Sequence, residues 1–374
     1  MLKVYGLTYD HTTNYGSCFQ AYALQHTIEN MVIQGEHPSY FLIPLSTFRD
    51  SPVIASSKNV SFIIHVKRIL RKLIKFIHRK QFIPFEKDFM KYANCHRFAD
   101  LSLLNNDADA FVCGSDVIWN PDFNSRRGVF FLDFATKHKF SYAASVGKAE
   151  VDKEYITFMK EELASFDAIS VREKTSLKIV KKCTEKDVQV VVDPVILLDS
   201  EEWEKVMVKQ PCNNKYIFAY TTHFNNTFKT FLQALKKKTG LQVILFEWNE
   251  SVSKLIKHGM LFVQSPNEWV SLLKEAEYVV TNSFHATVFS VIFHKKFYTV
   301  VDTDRTKGTN VRMYDFLNTI GLESRFCSSV PDTIDLSEID YTTADEKIAS
   351  MRTESLAYIQ RNLEEAYKQK KVAN

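Results

Sequence analysis

"EAEYVVTNSFHATVFSVIFHKKF", residues 275–297, decides the fold. Tyr278-Val279-Val280-Thr281 is a β-branched run of strand length. Asn282 and Ser283 are residues that cap helices, and the apolar stretch from Phe284 to Ile292 then reads as a buried helix. A further strand starts near Phe297. Strand, short turn, apolar helix and strand form the repeating unit of a parallel sheet, whose strands are covered on both faces and are therefore apolar throughout. His285 falls at the carboxyl end of a strand and in the first turn of a helix. Unpaired backbone N–H groups there attract anions, and ligands of parallel α/β sheets collect there.

The same alternation extends in both directions. "LKVYGLTY" is a strand and "SCFQAYALQHTIENM" an amphipathic helix. "SYFLIPL", "DAFVCGSD", "KFSYAASV", "AISVREK" and "DVQVVVDPVILL" are further short apolar runs, the last stopped by Asp193-Pro194. Residues 50–60 are rich in Ser, Pro and Asn and read as a loop. A second series begins at "KYIFAYTT" and continues through "LQVILFEW", "YVVTNS" and "KFYTVV". The expectation is an α/β protein of two facing Rossmann-like domains. Residues 1–200 would carry a basic helical insertion at about 60–98, and residues 201–374 would end in a closing C-terminal helix.

A chain of 374 residues with 45% hydrophobic and 25% charged residues has the composition of a globular protein. Gly is scarce, 10 residues against roughly 7% on average. Neither G-x-G-x-x-G nor a Walker A sequence occurs, which argues against a dinucleotide or ATP phosphate loop. A net charge of +4 is modest, and the aromatic-basic interleaving of RNA-binding sheets is missing, so no nucleic-acid partner is expected. Cys18, Cys95, Cys113, Cys183, Cys212 and Cys327 form no C-x-x-C pair and read as reduced thiols; no metal site and no cofactor are expected. Met1-Leu2-Lys3-Val4-Tyr5 opens as a strand, and no apolar stretch approaches the roughly 18–20 residues of a membrane span. A cytoplasmic location is the expectation.

Polar groups gather at the other strand ends as well. Asn14-Tyr15-Gly16-Ser17 separates the first strand from its helix. Cys113-Gly114-Ser115-Asp116 and Ser145-Val146-Gly147 follow two more strands, and Ser170-Val171-Arg172-Glu173 places an arginine after another. Taken singly, these are also caps, turns and surface charges. As a set they point to an anion-binding cleft between two domains. His11, His223 and His294 read as structural or surface groups.

Six blocks in order, "NYGSCFQAYALQ", "AFVCGSDVIWNP", "SYAASVG", "ISVREKTS", "VVVDPVILL" and "YVVTNSFHATVFSVIF", resemble the polysaccharide pyruvyl transferase family over residues 14 to about 293. "NVRMYDFLNTIGLESRF" resembles its C-terminal arginine segment. The resemblance implies a glycosyltransferase B-type arrangement and transfer of a pyruvate ketal from phosphoenolpyruvate to a cell-surface polysaccharide or its lipid-linked precursor, with release of phosphate. It implies that Arg172 and His285 serve phosphoenolpyruvate. Ketal formation needs a proton on the methylene carbon, and a histidine is the natural acid near neutrality, so His285 is the candidate donor. Some family branches read Ser-Arg-Leu-His-Gly where this chain has Asn282-Ser283-Phe284-His285-Ala286. Arg312 is therefore the candidate for the missing cation. Many members read Gly-Ser-Asp-Gln, whereas Val117 follows Asp116 here. Asp116 is the candidate base for an acceptor hydroxyl and Trp119 a stacking platform for a sugar, while Ser283, Asn14 and Ser17 help hold substrate. A nucleotide-sugar glycosyltransferase of the same architecture and a non-catalytic glycan-binding relative are the rival readings.

"FIIHVKRILRKLIKFIHRK", residues 62–80, is apolar at Ile63, Val66, Leu70, Leu73, Ile74 and Ile77. It carries Lys67, Arg68, Arg71, Lys72, Lys75, Arg79 and Lys80 with no acid. Such a helix fits the face of an anionic membrane and a polyprenyl-diphosphate-linked acceptor, at the inner face of the membrane. It fits equally a core-packed helix with a solvated basic face.

Overall fold

The computed structural model describes residues 1–10, 12–48, 62–122, 127–209, 214–247, 264–302 and 310–373; the side chains of 62–75, 127, 247 and 373 lie outside this description, as do His11, Cys212 and the whole 50–60 loop. In the first half, β1 (Lys3–Leu7), β2 (Ser39–Leu42), β3 (Ala110–Cys113) and β4 (His138–Ser141) form a sheet in the order β2-β1-β3-β4. All its pairings are parallel. Bridges Phe140↔Ala168 and Ala144↔Val171 extend it to β5 (Ile169–Val171), which pairs in parallel with β6 (Val188–Val190).

In the second half, β7 (Tyr216–Thr221), β8 (Gln242–Glu247), β9 (Tyr278–Thr281), β10 (Lys296–Val300) and β11 (Phe326–Cys327) form a parallel sheet in the order β11-β10-β9-β7-β8. Both sheets start in their interior, place the second strand on one side and continue on the other. This is the doubly wound pattern with a switch point between the first and third strands. The strands are buried end to end in β3, β7 and β9, which are largely apolar, and also in β4, where Lys139 donates to the carbonyl of Leu132 and Ser141 to that of Ser170.

Local chemistry sets the boundaries. Asn14 caps the first helix, α1 (Tyr15–Asn30), by accepting from the backbone N–H groups of Gly16 and Ser17. Ser265 and Glu268 form a reciprocal capping box on Pro266–Glu275, with proline at its first turn. Gly240, at φ +72°, closes Asn226–Thr239 in the left-handed conformation.

The two halves meet through aromatic side chains of α1. Tyr15 stacks on Trp269 with ring centroids 5.0 Å apart, and Phe19 packs on Trp203 and Phe289. The C-terminal helix, Thr342–Ala373, returns across the first half. Its Ser355 accepts from Val192 N–H, and Tyr358 donates to the carbonyl of Ser141. His138 meets Asn362, and Lys370 reaches Asp109 at 2.9 Å.

Candidate active site

The two switch points face each other and bring their strand ends together. From the first sheet come α1 with Ser17, the segment after β3 with Asp116, the residues after β5 with Arg172 and Glu173, and Asp193 after β6. From the second come His285, in the first turn of Phe284–Ile292, and Arg312, in Asn310–Ile320. All of these except Arg312 are buried.

Asp193 is the hub. Its Oδ2 accepts from Arg172 Nη1 at 2.9 Å and from Ser115 Oγ at 3.3 Å, and lies 3.5 Å from Nε2 of His285. Its Oδ1 accepts from Val195 N–H and so caps Pro194–Leu197. Burial opposes ionisation of Asp193, but the His285 imidazole and the Arg172 guanidinium outweigh it and hold the carboxyl well below the usual range. Arg172 also lies 3.3 Å from Glu173 and 3.9 Å from Asp116. Burial works against its charge, yet Asp193, Glu173 and Asp116 raise its pKa above the ordinary arginine value. Glu173 in turn accepts from Ser145 and Ser176.

Asp116 accepts from Ser17 Oγ at 2.7 Å, and its Oδ1 lies 3.7 Å from Arg312 Nη1. Burial again favours the neutral acid. Arg172, His285, Arg312 and the Ser17 hydroxyl nevertheless hold the carboxyl below its ordinary value, so it is ionised at neutral pH. Asp116 itself has φ +64° and follows Gly114 at φ +119°. A Cβ on Gly114 would sit 2.0 Å from the carbonyl oxygen of Tyr142; only glycine allows the chain to leave β3 by this path.

Arg312 is pushed down to about 10, first by burial and then by the Arg172 guanidinium, with Asp116, Glu173 and Asp193 opposing. It remains protonated at neutral pH. Phe284 lies against both arginines, with guanidinium carbons 4.8 Å (Arg172) and 5.4 Å (Arg312) from its ring centre. The ring face offers each cation a favourable contact. A cavity of about 220 Å³ adjoins the cluster, lined by Arg172, Asp193, Phe284 and Arg312 with apolar Ile196 and Phe316.

Gly16 explains how His285 reaches this cluster. The imidazole packs directly on the first turn of α1, where a Cβ on residue 16 would lie 2.0 Å from Nδ1 and 2.4 Å from Cγ. Gly16→Ala is expected to push the ring away from Asp193. A displacement of about 1 Å costs on the order of 10²-fold in rate, and steady-state activity assays would measure it. Activity equal to wild type would show that the ring position is unimportant.

Among the sequence candidates, the fold brings together His285, Asp116, Arg172, Arg312 and Ser17. Ser283 sits at the N-cap of the His285 helix, its N–H donating to Thr281 Oγ1. Asn14 is next to the site and its carbonyl oxygen is engaged as the cap of α1. Trp119 is a correction: its side chain is fully buried, stacked on Phe131 at 5.0 Å, and donates to the carbonyl of Phe130. It is core and presents no face to a sugar. His294, on the surface, pairs with Asp345 at 2.9 Å. Cys18, Cys95, Cys113, Cys183 and Cys327 are free thiols. Asp193, Glu173 and Gly16 were not singled out from sequence. The Asp-Pro pair ending a strand and the glycine beside a capping Asn were the available signals.

The family model for polysaccharide pyruvyl transferases matches residues 14–305. The chain belongs to the polysaccharide pyruvyl transferase family. The match contains every clustered residue except Arg312. No curated protein matches the chain. Among solved structures, it is similar to UDP-N-acetylglucosamine 2-epimerase from Rickettsia bellii, with 13% identity over 96% of this chain and 98% of that one and a TM-score of 0.41. It is similar to Arabidopsis thaliana UGT89C1 complexed with UDP-L-rhamnose, with 12% identity over 98% and 94% of the two chains and a TM-score of 0.44. A variant of the wall teichoic acid polymerase TagF gives 11% identity over 98% and 83%, with a TM-score of 0.44. The chain's own geometry is that of two parallel α/β sheets whose strand ends meet at the clustered residues.

Proposed function

We propose that the protein transfers pyruvate from phosphoenolpyruvate to two hydroxyls of one sugar in a cell-surface polysaccharide or its lipid-linked precursor, forming a ketal and releasing phosphate. One observation carries this reading. Arg172 Nη2, Arg312 Nε and Nη1, and His285 Nε2 are buried and have no hydrogen-bond partner among the described residues. His285 Nε2 and Arg312 Nη1 face carboxylates only at 3.5 and 3.7 Å, and leaving a buried polar group without a hydrogen bond costs about 1–3 kcal/mol. A ligand with several anionic oxygens would satisfy them together. Phosphoenolpyruvate brings a carboxylate and a phosphate, and a guanidinium fork binds either in paired hydrogen bonds.

The reaction needs C3 of the enol to gain a proton, C2 to form two bonds to sugar oxygens, and the C2–O bond to phosphate to break. Two hydroxyl protons are released; one balances the proton given to C3 and the other leaves with phosphate. His285 is the proton donor to C3, held by Asp193 and Gly16. Arg172 and Arg312 hold the donor's anionic groups. Asp116, ionised and weakly basic, orients an acceptor hydroxyl together with Ser17. No cofactor is invoked, because the donor carries its own leaving group.

Calorimetry with phosphoenolpyruvate and a panel of nucleotide sugars tests the donor. A ligand that binds only the native state at about 100 times its Kd adds roughly 2.7 kcal/mol of stability. That shift is expected from phosphoenolpyruvate and is expected to disappear in Arg312→Ala, whose side chain is the more exposed of the two arginines. A shift from a nucleotide sugar alone would favour the glycosyltransferase reading instead.

Alkaline titration gives an independent check. Arg312 loses its proton near pH 10 in the empty site. Donor affinity contributed by this residue is therefore expected to be constant from neutral pH to about 9 and to fall as pH passes 10. Affinity that Arg312→Ala leaves equally pH-dependent would assign the titration to another group.

A further inference from the structure

The helix α2 (Phe62–Phe89) has a face that the donor site does not use. Its 28 residues hold eight Lys and Arg against two acids, a net charge of +6, which exceeds the +4 of the whole chain. The charge is concentrated at the start, since no acid occurs before Glu86. At about 1.5 Å per residue the helix is about 42 Å long.

One side of its C-terminal half is anchored in the protein. Phe82 and Phe85 are buried, His78 and Phe82 pack on Tyr15, and Phe85 packs on Phe19. The other side faces solvent. Phe76, Lys80, Ile83 and Lys87, four and three residues apart in turn, share one face, and all are exposed; Phe76 is 57% and Ile83 49% accessible. Lys80 lies 4.6 Å over the ring of Phe76. Apolar rings interleaved with lysines whose stems can lie flat and whose ammonium groups reach outward suit the boundary between lipid headgroups and acyl chains. Among the described residues no helix is long and apolar enough to cross a membrane.

We infer that the exposed face of α2 docks the protein on an anionic bilayer surface, with Phe76 and Ile83 entering the interface and Lys80 and Lys87 of the same face pairing with lipid headgroups. Charge complementarity selects this occupant over a neutral surface. Position adds a consequence: α2 packs on Tyr15, next to Gly16, which carries His285. Docking would therefore hold the cleft close to the plane in which a lipid-carried sugar lies. The docking stands without the donor assignment; only this consequence rests on it.

Flotation of the full-length protein tests the inference, using phosphatidylcholine vesicles with and without phosphatidylglycerol. Binding is expected only with the anionic vesicles and is expected to weaken with added salt. Each basic residue near the surface contributes about 1 kcal/mol, or roughly fivefold in partitioning. Lys80→Gln/Lys87→Gln should therefore lose about 25-fold, and Phe76→Ser/Ile83→Ser should lose binding with the charge intact. The phosphoenolpyruvate-induced stability shift, measured on the same variants, is expected to persist, which separates loss of docking from failure of the donor site or of folding. The inference is overturned if wild type ignores anionic vesicles, if it floats equally with phosphatidylcholine alone, or if both variants float like wild type. Capture by a soluble acidic polymer without vesicle binding would also overturn it, by assigning the face to a different partner.

Discussion

Replacing Asp193 by alanine is expected to lower folding stability by about 3–5 kcal/mol, the cost of removing one member of a buried ion pair and leaving its partner uncompensated. Its side chain is fully buried and is the meeting point of Arg172, Ser115 and His285, besides capping Pro194–Leu197. Asp193→Asn keeps the shape and cap and removes only the charge, so the difference between the two variants isolates the electrostatic part. Scanning calorimetry measures both. The pH dependence has a definite sign. Because its folded pKa is depressed, Asp193 stabilises the native state above the unfolded carboxylate value near 3.9. That contribution is lost as pH falls through this value toward the folded one. Wild type should therefore lose stability on acidification over a range in which Asp193→Ala, already without the pair, loses less. Equal stability of Asp193→Ala and wild type at neutral pH would mean that Arg172 is adequately held by Glu173 and Asp116.

His285→Gln is expected to reduce transfer by about 10²–10⁴-fold, the usual contribution of a positioned general acid. Glutamine retains a hydrogen-bond donor near Asp193 and cannot deliver a proton. Donor binding through Arg172 and Arg312 should survive, so the loss belongs to kcat rather than to KM. In deuterated water the wild-type product should carry one deuterium in its new methyl group, read by NMR, because C3 receives a solvent-exchangeable proton. Wild-type turnover in His285→Gln would remove His285 from the chemistry and leave it as a packing residue of the interface with α1.

The fold was legible because each strand end is written in local chemistry. Asn14 after β1, Asp193 after β6 and Asn225 after β7 each cap the helix that follows. The strand-end rule then placed Asp116, Arg172 and His285 at one edge. Which of these groups touch was not legible, since contact depends on how two separate sheets face each other. Trp119 shows the limit. It follows Asp116 by three positions and looked available to a ligand, yet the left-handed turn at Asp116 sends the chain back into the core. Asp193 shows the converse, a residue that marks the end of a strand in sequence and becomes the centre of a charge cluster in space.

What the sequence alone determined is therefore the set of elements, their parallel sense and the edge on which polar groups collect, because periodicity and capping are properties of neighbours in the chain. Tertiary structure alone decided that Gly16 makes room for His285, that Phe284 lies against both Arg172 and Arg312, and that Asp193 meets both Arg172 and His285. Three of these contacts, Gly16 with His285, Arg172 with Phe284 and Asp193 with His285, join residues from opposite halves of the chain, and the packing of aromatic side chains from α1 against the second half brings them together.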